Sequence, residues 1–264
     1  MLKAKVFSIF CFLLLLISTT FGSPIILNEY NAVGPTKYLG AAGSDDYWGR
    51  VAGNGGDWFE LVVIQDHLNM RRWKFTMSHY DASLKKYVYE TLNLTNHSIW
   101  SDLRSGTIIT ISEDLPDNVS YNPIYDPHNP SAGDWWINVR ANDFPDGTGT
   151  YIDRQSFTVD SEDWVLRIKK ADGTVVFGPV GESVNLTGPL IGDNEIFRLE
   201  EDPSASITPF SNYDDAQELS TFGTPNRWGS NVQDFSQLRS VVPEPATVLL
   251  LGLGSLVMLR KRKR

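Results

Sequence analysis

Short runs that mix apolar and polar positions fill the middle of the chain, and two continuous apolar runs lie near its ends. The interior runs cover 24–30, 58–64, 72–77, 86–92, 107–112, 135–139, 164–169, 174–177 and 195–199. They are rich in Val, Ile, Thr, Tyr and Trp, and clusters of Gly, Asn, Asp and Pro separate them. β-Branched and aromatic side chains suit a pleated, half-buried surface, so these runs predict strands. Asp172-Gly173, between two such runs, predicts a hairpin turn because both residues tolerate positive φ. Helical periodicity is nearly absent, and only 214–219 is read as a single helical turn. Many short strands with turn residues between them predict an all-β sandwich or barrel.

The two apolar runs have different flanks. Lys3 and Lys5 precede the first, 6–17, and Ser18, Thr19, Thr20 and Gly22 follow it. A basic start, a short apolar stretch and small residues predict a signal peptide over 1–22, cut after Gly22. The chain's one cysteine, Cys11, lies inside that segment, so the mature protein is expected to lack disulfides and cysteine-held metal. The second run, 246–259, follows Val242, Pro243, Glu244 and Pro245 and precedes five basic residues, Arg260 to Arg264. The two prolines hold the approach to it extended. A run of 14 residues at ~1.5 Å each spans about 21 Å, short of a hydrocarbon core of ~30 Å. A processing signal fits that length better than a permanent spanning helix. The basic end is expected to stay cytoplasmic.

Proline-glutamate-proline, an apolar run containing Gly252 and Gly254, and a purely basic end together resemble the PEP-CTERM sorting signal. The resemblance implies an exosortase as partner and cleavage near Val242–Pro245. It also implies an exported protein of a Gram-negative bacterium, held first as an inner-membrane precursor and then at the cell surface or in the extracellular matrix. Association with exopolysaccharide is a further implication of the same kind. The expected organisation is a signal peptide (1–22), a domain (23–230), a linker (231–241) and a sorting segment (242–264), whose transmembrane helix is 246–259 and basic tail 260–264.

Within the domain, Ile26-Leu27-Asn28-Glu29-Tyr30-Asn31-Ala32 and Asp57-Trp58-Phe59-Glu60-Leu61 resemble the opening of the lamin-tail domain. Gly106 to Ile111 looks like that family's central strand, and Trp164 to Ile168 with Ala171 to Val176 resembles its late hairpin. Ser220 to Asn226 is similar to its closing loop, with Phe222 where the family usually has proline. The resemblance implies an immunoglobulin-like sandwich, here with long insertions at 38–56 and 113–150.

Charge narrows the list of partners. The net charge is −9, yet seven of the 23 basic residues sit at the two ends, and all 32 acidic residues lie between them. So acidic a middle repels phosphate backbones, which argues against nucleic acid. Four histidines, His67, His79, His97 and His128, show no metal-ligand spacing, and no nucleophile elbow or phosphate loop occurs. The chain is therefore read as a non-enzyme. Glu29 and Glu60 are expected to face each other across adjacent strands. Such a pair suits a glycosidase, but hydrogen-bonded structural roles are the preferred reading.

Two ligand readings stand beside this. Asn142 to Gly147 with Asp153 approaches a calcium loop, but Phe144 occupies an oxygen-ligand position and breaks it. Calcium on Asp143, Asp146 and Asp153 in another geometry is one reading, and an Asx-capped turn is the other. No cofactor is otherwise expected. Trp135 and Trp136, as strand neighbours, point to opposite faces. Either one indole is exposed to stack on a sugar, or both are buried, one beneath the 113–150 loop.

Overall fold

A computed structural model describes residues 22–114, 129–142, 150–153, 156–182 and 190–240. Its strands are β1 (Ile25–Asn31), β2 (Ser44–Asp45), β3 (Trp58–Val63), β4 (Lys74–Asp81), β5 (Lys86–Asn93), β6 (Ile108–Ser112) and β7 (Trp136–Arg140). There follow β8 (Val165–Lys169), β9 (Val175–Gly181), β10 (Ile196–Leu199), β11 (Tyr213–Ala216), β12 (Leu219–Ser220), β13 (Arg227–Trp228) and β14 (Asn231–Val232). One helical turn, Ser236–Arg239, comes after them. The described residues are thus mainly β, in keeping with an all-β sandwich.

Six strands form one sheet in the order β11-β10-β1-β3-β6-β7, and four form a second in the order β5-β4-β8-β9. Aromatic rings pack between them. Phe59 of β3 meets Phe75 of β4 edge-on at 5.6 Å, and Tyr30 of β1 lies 4.5 Å from Trp164 just before β8. Tyr30, Phe59, Phe75, Trp100, Phe157 and Trp164 are fully buried. Each such side chain contributes roughly 1.5–3 kcal/mol relative to exposure.

The two sheets differ in what covers their outer faces. β8 alternates between half-exposed and buried positions, as a strand with one solvent face should. In β1, β3 and β6 every residue is buried, including the polar ones. The second sheet covers one face of these strands, and loops cover the other.

The stretch 38–56 supplies part of that cover. It carries β2, which pairs in parallel with β12, and it buries Leu39, Asp45, Trp48 and Asn54. The stretch 113–150 contains β7, the sheet's sixth strand, which runs parallel to β6. A parallel neighbour requires a long crossover, and this accounts for the part of the stretch before β7, residues 113–135. Gln233 and Phe235, in the segment expected to be a linker, are buried against the body.

The helical turn expected over 214–219 is corrected. Tyr213–Ala216 is strand β11, in antiparallel register with β10, and Leu219–Ser220 is β12. A free sheet edge satisfies these backbone groups along their whole length, which one isolated helical turn does not.

Candidate functional site

A row of polar side chains crosses the loop-covered face of the six-stranded sheet. In register these are Asp214, Arg198, Glu29, Glu60, Thr110 and Asn138, one from each strand from β11 to β7. Glu29 and Glu60 are direct partners, and both have 0% exposure. A register shift in β1 between Leu27 and Glu29 sets Asn28 beside them.

Every carboxylate oxygen of the pair meets a donor from this chain. Glu29 accepts the Thr221 hydroxyl at 2.6 Å and the Thr221 backbone N–H at 3.2 Å. Glu60 accepts the Asn28 amide at 2.8 Å and the Gly223 N–H at 2.7 Å, and Thr110 Oγ1 lies 3.3 Å away. Asn226 anchors the covering loop by donating to the carbonyls of Asn28 (3.0 Å) and Leu199 (3.1 Å). Gln233 donates to Asn28 Oδ1 at 2.9 Å and accepts the Asn226 N–H at 2.9 Å. Beside the pair Asp45 accepts the N–H groups of Tyr47, Trp48 and Phe222 and the Ser220 hydroxyl. Arg198, the register partner of Glu29, reaches Glu200 (2.7 Å) and Glu218 (3.2 Å).

Burial dominates the electrostatics here. It pushes Glu29 up to about 7 despite the opposing Thr221 hydrogen bonds, and Asp45 adds to the rise. Burial, followed by the neighbouring Glu29 charge, holds Glu60 well above the ordinary carboxylate range. The Thr110 hydroxyl donates to the same Glu60 oxygen that accepts the Gly223 N–H. Both carboxylates are fully buried behind hydrogen-bonded loops. Chemically, this layer fastens the chain's closing loop to its first strands.

An aromatic cap lies over the layer. Phe222 packs against Trp48 (4.6 Å), Trp58 (5.1 Å) and Trp136 (5.6 Å). Gly223 has φ +77°, and a Cβ there would come within 2.4 Å of the Trp136 ring. Gly223→Ala is expected to cost about 2–3 kcal/mol, from left-handed strain plus a displaced ring. A fall in urea midpoint with a shift in tryptophan emission would report it, and an unchanged midpoint would refute the packing.

The two tryptophans singled out in the sequence have separate surroundings. Trp136 is half-buried in the cap, and its Nε1–H donates to Thr110 Oγ1 at 2.9 Å. Trp135, also half-buried, lies beneath the Arg239 guanidinium, 5.2 Å from the ring centre. Asp153 is exposed, and its backbone N–H pairs with the Asn93 carbonyl. Asp143, Asp146 and Val242–Pro245 lie outside the described residues, as do 246–259. Among the described residues, no three His, Cys, Asp or Glu side chains converge as a metal site. No helix among them is long and apolar enough to cross a membrane.

Two concavities open elsewhere. One, of about 330 Å³, is bounded by Val33, Pro35, Gly53, Asp57, Glu113 and Asp114. Burial, reinforced by Glu113, pushes Asp57 up to about 8. The other, of about 500 Å³, lies at one end of the four-stranded sheet and includes Arg71, Arg72, Trp73 and Lys170.

The sequence alone pointed to Glu29, Glu60 and the closing loop. It gave no sign of Asp45, Asn54 or Gln233, which join the layer from stretches read as insertion or linker. Their only local signal is polarity, which surface residues share.

Residues 241–263 match the family model described as the PEP-CTERM protein-sorting motif. No curated protein and no solved structure matches the chain. The motif indicates an exosortase-sorted extracellular protein, exported and processed at the membrane.

Proposed function

We propose that this chain is a non-catalytic β-sandwich which an exosortase cuts near Val242–Pro245 and which then serves a structural or binding role at the cell surface or in the extracellular matrix. The sorting motif at 241–263 carries the reading. In this account residues 1–22 are the signal peptide, and 246–259 hold the precursor in the inner membrane of a Gram-negative cell until cleavage. Exopolysaccharide is the partner class.

Two packed sheets whose first and third strands carry buried Asn28, Glu29 and Glu60 support an immunoglobulin-like, lamin-tail-like domain. A non-catalytic role gains support from the same residues. Glu29 and Glu60, the adjacent carboxylate pair, are saturated by donors of their own chain.

Processing is tested by expressing the chain in a strain with an exosortase and in one deleted for it, then reading the C-terminus by mass spectrometry. With exosortase present, the mature protein should end near Pro243-Glu244-Pro245. In the deletion strain, or with all three residues changed to Ala, full-length precursor should accumulate in the membrane fraction. Identical C-termini in all strains would overturn the processing claim.

A further inference from the structure

The four-stranded sheet turns its outer face to solvent, and six cations gather on it and at its end. From β4 and β8, register places Lys74 beside Lys169 and Thr76 beside Arg167. Arg71, Arg72 and Lys170 extend the group into the groove of about 500 Å³ at the sheet's end, where Asn69, Trp73 and Asn96 also contribute. None of these six cations is in an ion pair among the described residues. Of the cations elsewhere among the described residues, Arg104 pairs with Asp66, Arg198 with Glu200 and Glu218, Arg227 with Asp46 and Lys37 with Asp193, whereas Lys85 and Lys86 at the β4–β5 turn stand apart from the face and are also in no ion pair. The groove's one carboxylate, Asp172, accepts the Thr174 N–H.

On the same face β5 presents Thr91 and Tyr89, the register partners of Thr76 and Ser78. Tyr89 is 77% exposed, an unusual position for an aromatic ring in a chain that buries most of its aromatics.

We propose that this basic face and its end groove bind an acidic polysaccharide. Guanidinium and ammonium groups take the polymer's carboxylates or sulfates. The Tyr89 ring supplies an apolar surface for a sugar ring, and Asn69 and Asn96 offer hydrogen bonds to hydroxyls. A concave, largely polar groove fits a chain better than a flat bilayer, which needs apolar anchors. Nucleic acid shares the charge, but export removes the protein from it, and the face's exposed rings, Tyr89 and Tyr87, sit two residues apart on one strand rather than along a run of stacking platforms. The proposal rests on the extracellular destination only for its choice of polyanion.

The test uses the full chain purified in neutral detergent, titrated with polygalacturonate, neutral dextran and single-stranded DNA. Polygalacturonate should bind, with affinity falling steeply between about 50 and about 200 mM salt, while dextran should not. Changing Arg71, Arg167, Lys169 and Lys170 together to Gln should weaken binding at least about tenfold, and Tyr89→Ala should weaken it a few-fold. Both variants should keep the wild-type circular dichroism. Lys37→Gln, remote from the face, should change nothing. Arg260, Lys261, Arg262, Lys263 and Arg264 are changed to Gln in every form compared, which removes the basic tail as a second polyanion site.

Absent polygalacturonate binding, wild-type affinity in the fourfold variant, or DNA binding as tight as the polyuronate would each overturn the proposal. The assay does not depend on processing, so its failure leaves the sorting result intact, and the reverse also holds.

Discussion

Replacing Asn226 with Asp or Ala is expected to lower stability by about 4 kcal/mol or more, although the site touches no ligand. The Asn226 amide donates to two backbone carbonyls, Asn28 and Leu199, on two neighbouring strands. Its Oδ1 accepts from Asn28, and its backbone N–H reaches Gln233. All these groups are buried, so none regains water when the partner is lost. Asp has the same shape but turns an acceptor toward two acceptors and adds charge beside two carboxylates. Both variants should therefore fall together in urea denaturation, while Asn231→Ala, at an exposed position of β14, should stay within about 0.5 kcal/mol of wild type. A loss below about 1 kcal/mol in Asn226→Asp would show that the layer is not closed.

Stability should decline as pH rises from about 4.5 to about 8, against the usual trend for acidic proteins. Glu29 has a folded value of about 7 against an ordinary 4.5, so between these the folded chain holds more protons than the unfolded one. The contribution is therefore complete below the lower value and is lost as pH rises through the higher. For Glu29 alone the loss is on the order of 3 kcal/mol. Asp57, raised from 3.8 to about 8, acts with the same sign and extends the window upward. Asp66, Asp81 and Asp172 are shifted downward and favour folding above their unfolded range, so the optimum falls in mild acid.

Glu29→Gln isolates the effect. Its oxygen still accepts the Thr221 N–H, and its amide donates to Thr221 Oγ1 while that hydroxyl turns to Asn226 Oδ1, 3.0 Å away. The variant should match wild type near pH 5 and exceed it near pH 8 by on the order of 3 kcal/mol. Thermal melts across this range decide it. A wild-type Tm that climbs from about pH 5 to about pH 8 would sink the argument.

Local pattern located most strands because the property it measures is local. A run such as Ile108–Ser112 suits a pleated surface wherever it lands. It misread 214–219 because the deciding partner, β10, is supplied by tertiary pairing. The candidate layer was half legible. Glu29 and Glu60 stood out as carboxylates inside apolar runs, whereas Asp45, Asn54 and Gln233 sit in polar stretches where burial leaves no mark.

The basic face was hidden for a related reason. Arg71, Lys74, Arg167 and Lys170 are scattered across the chain, and net charge averages them into an acidic total. Only tertiary structure set them on one face, where none forms an ion pair among the described residues.

By itself, then, the sequence determined the all-β character, through residue preference, and the sorting motif, because that signal is carried by contiguous residues and needs no tertiary contact to be recognised in the chain. Tertiary structure decided which polar groups are sealed and which are offered. Burial and charge contrast depend on what the rest of the chain brings to each face.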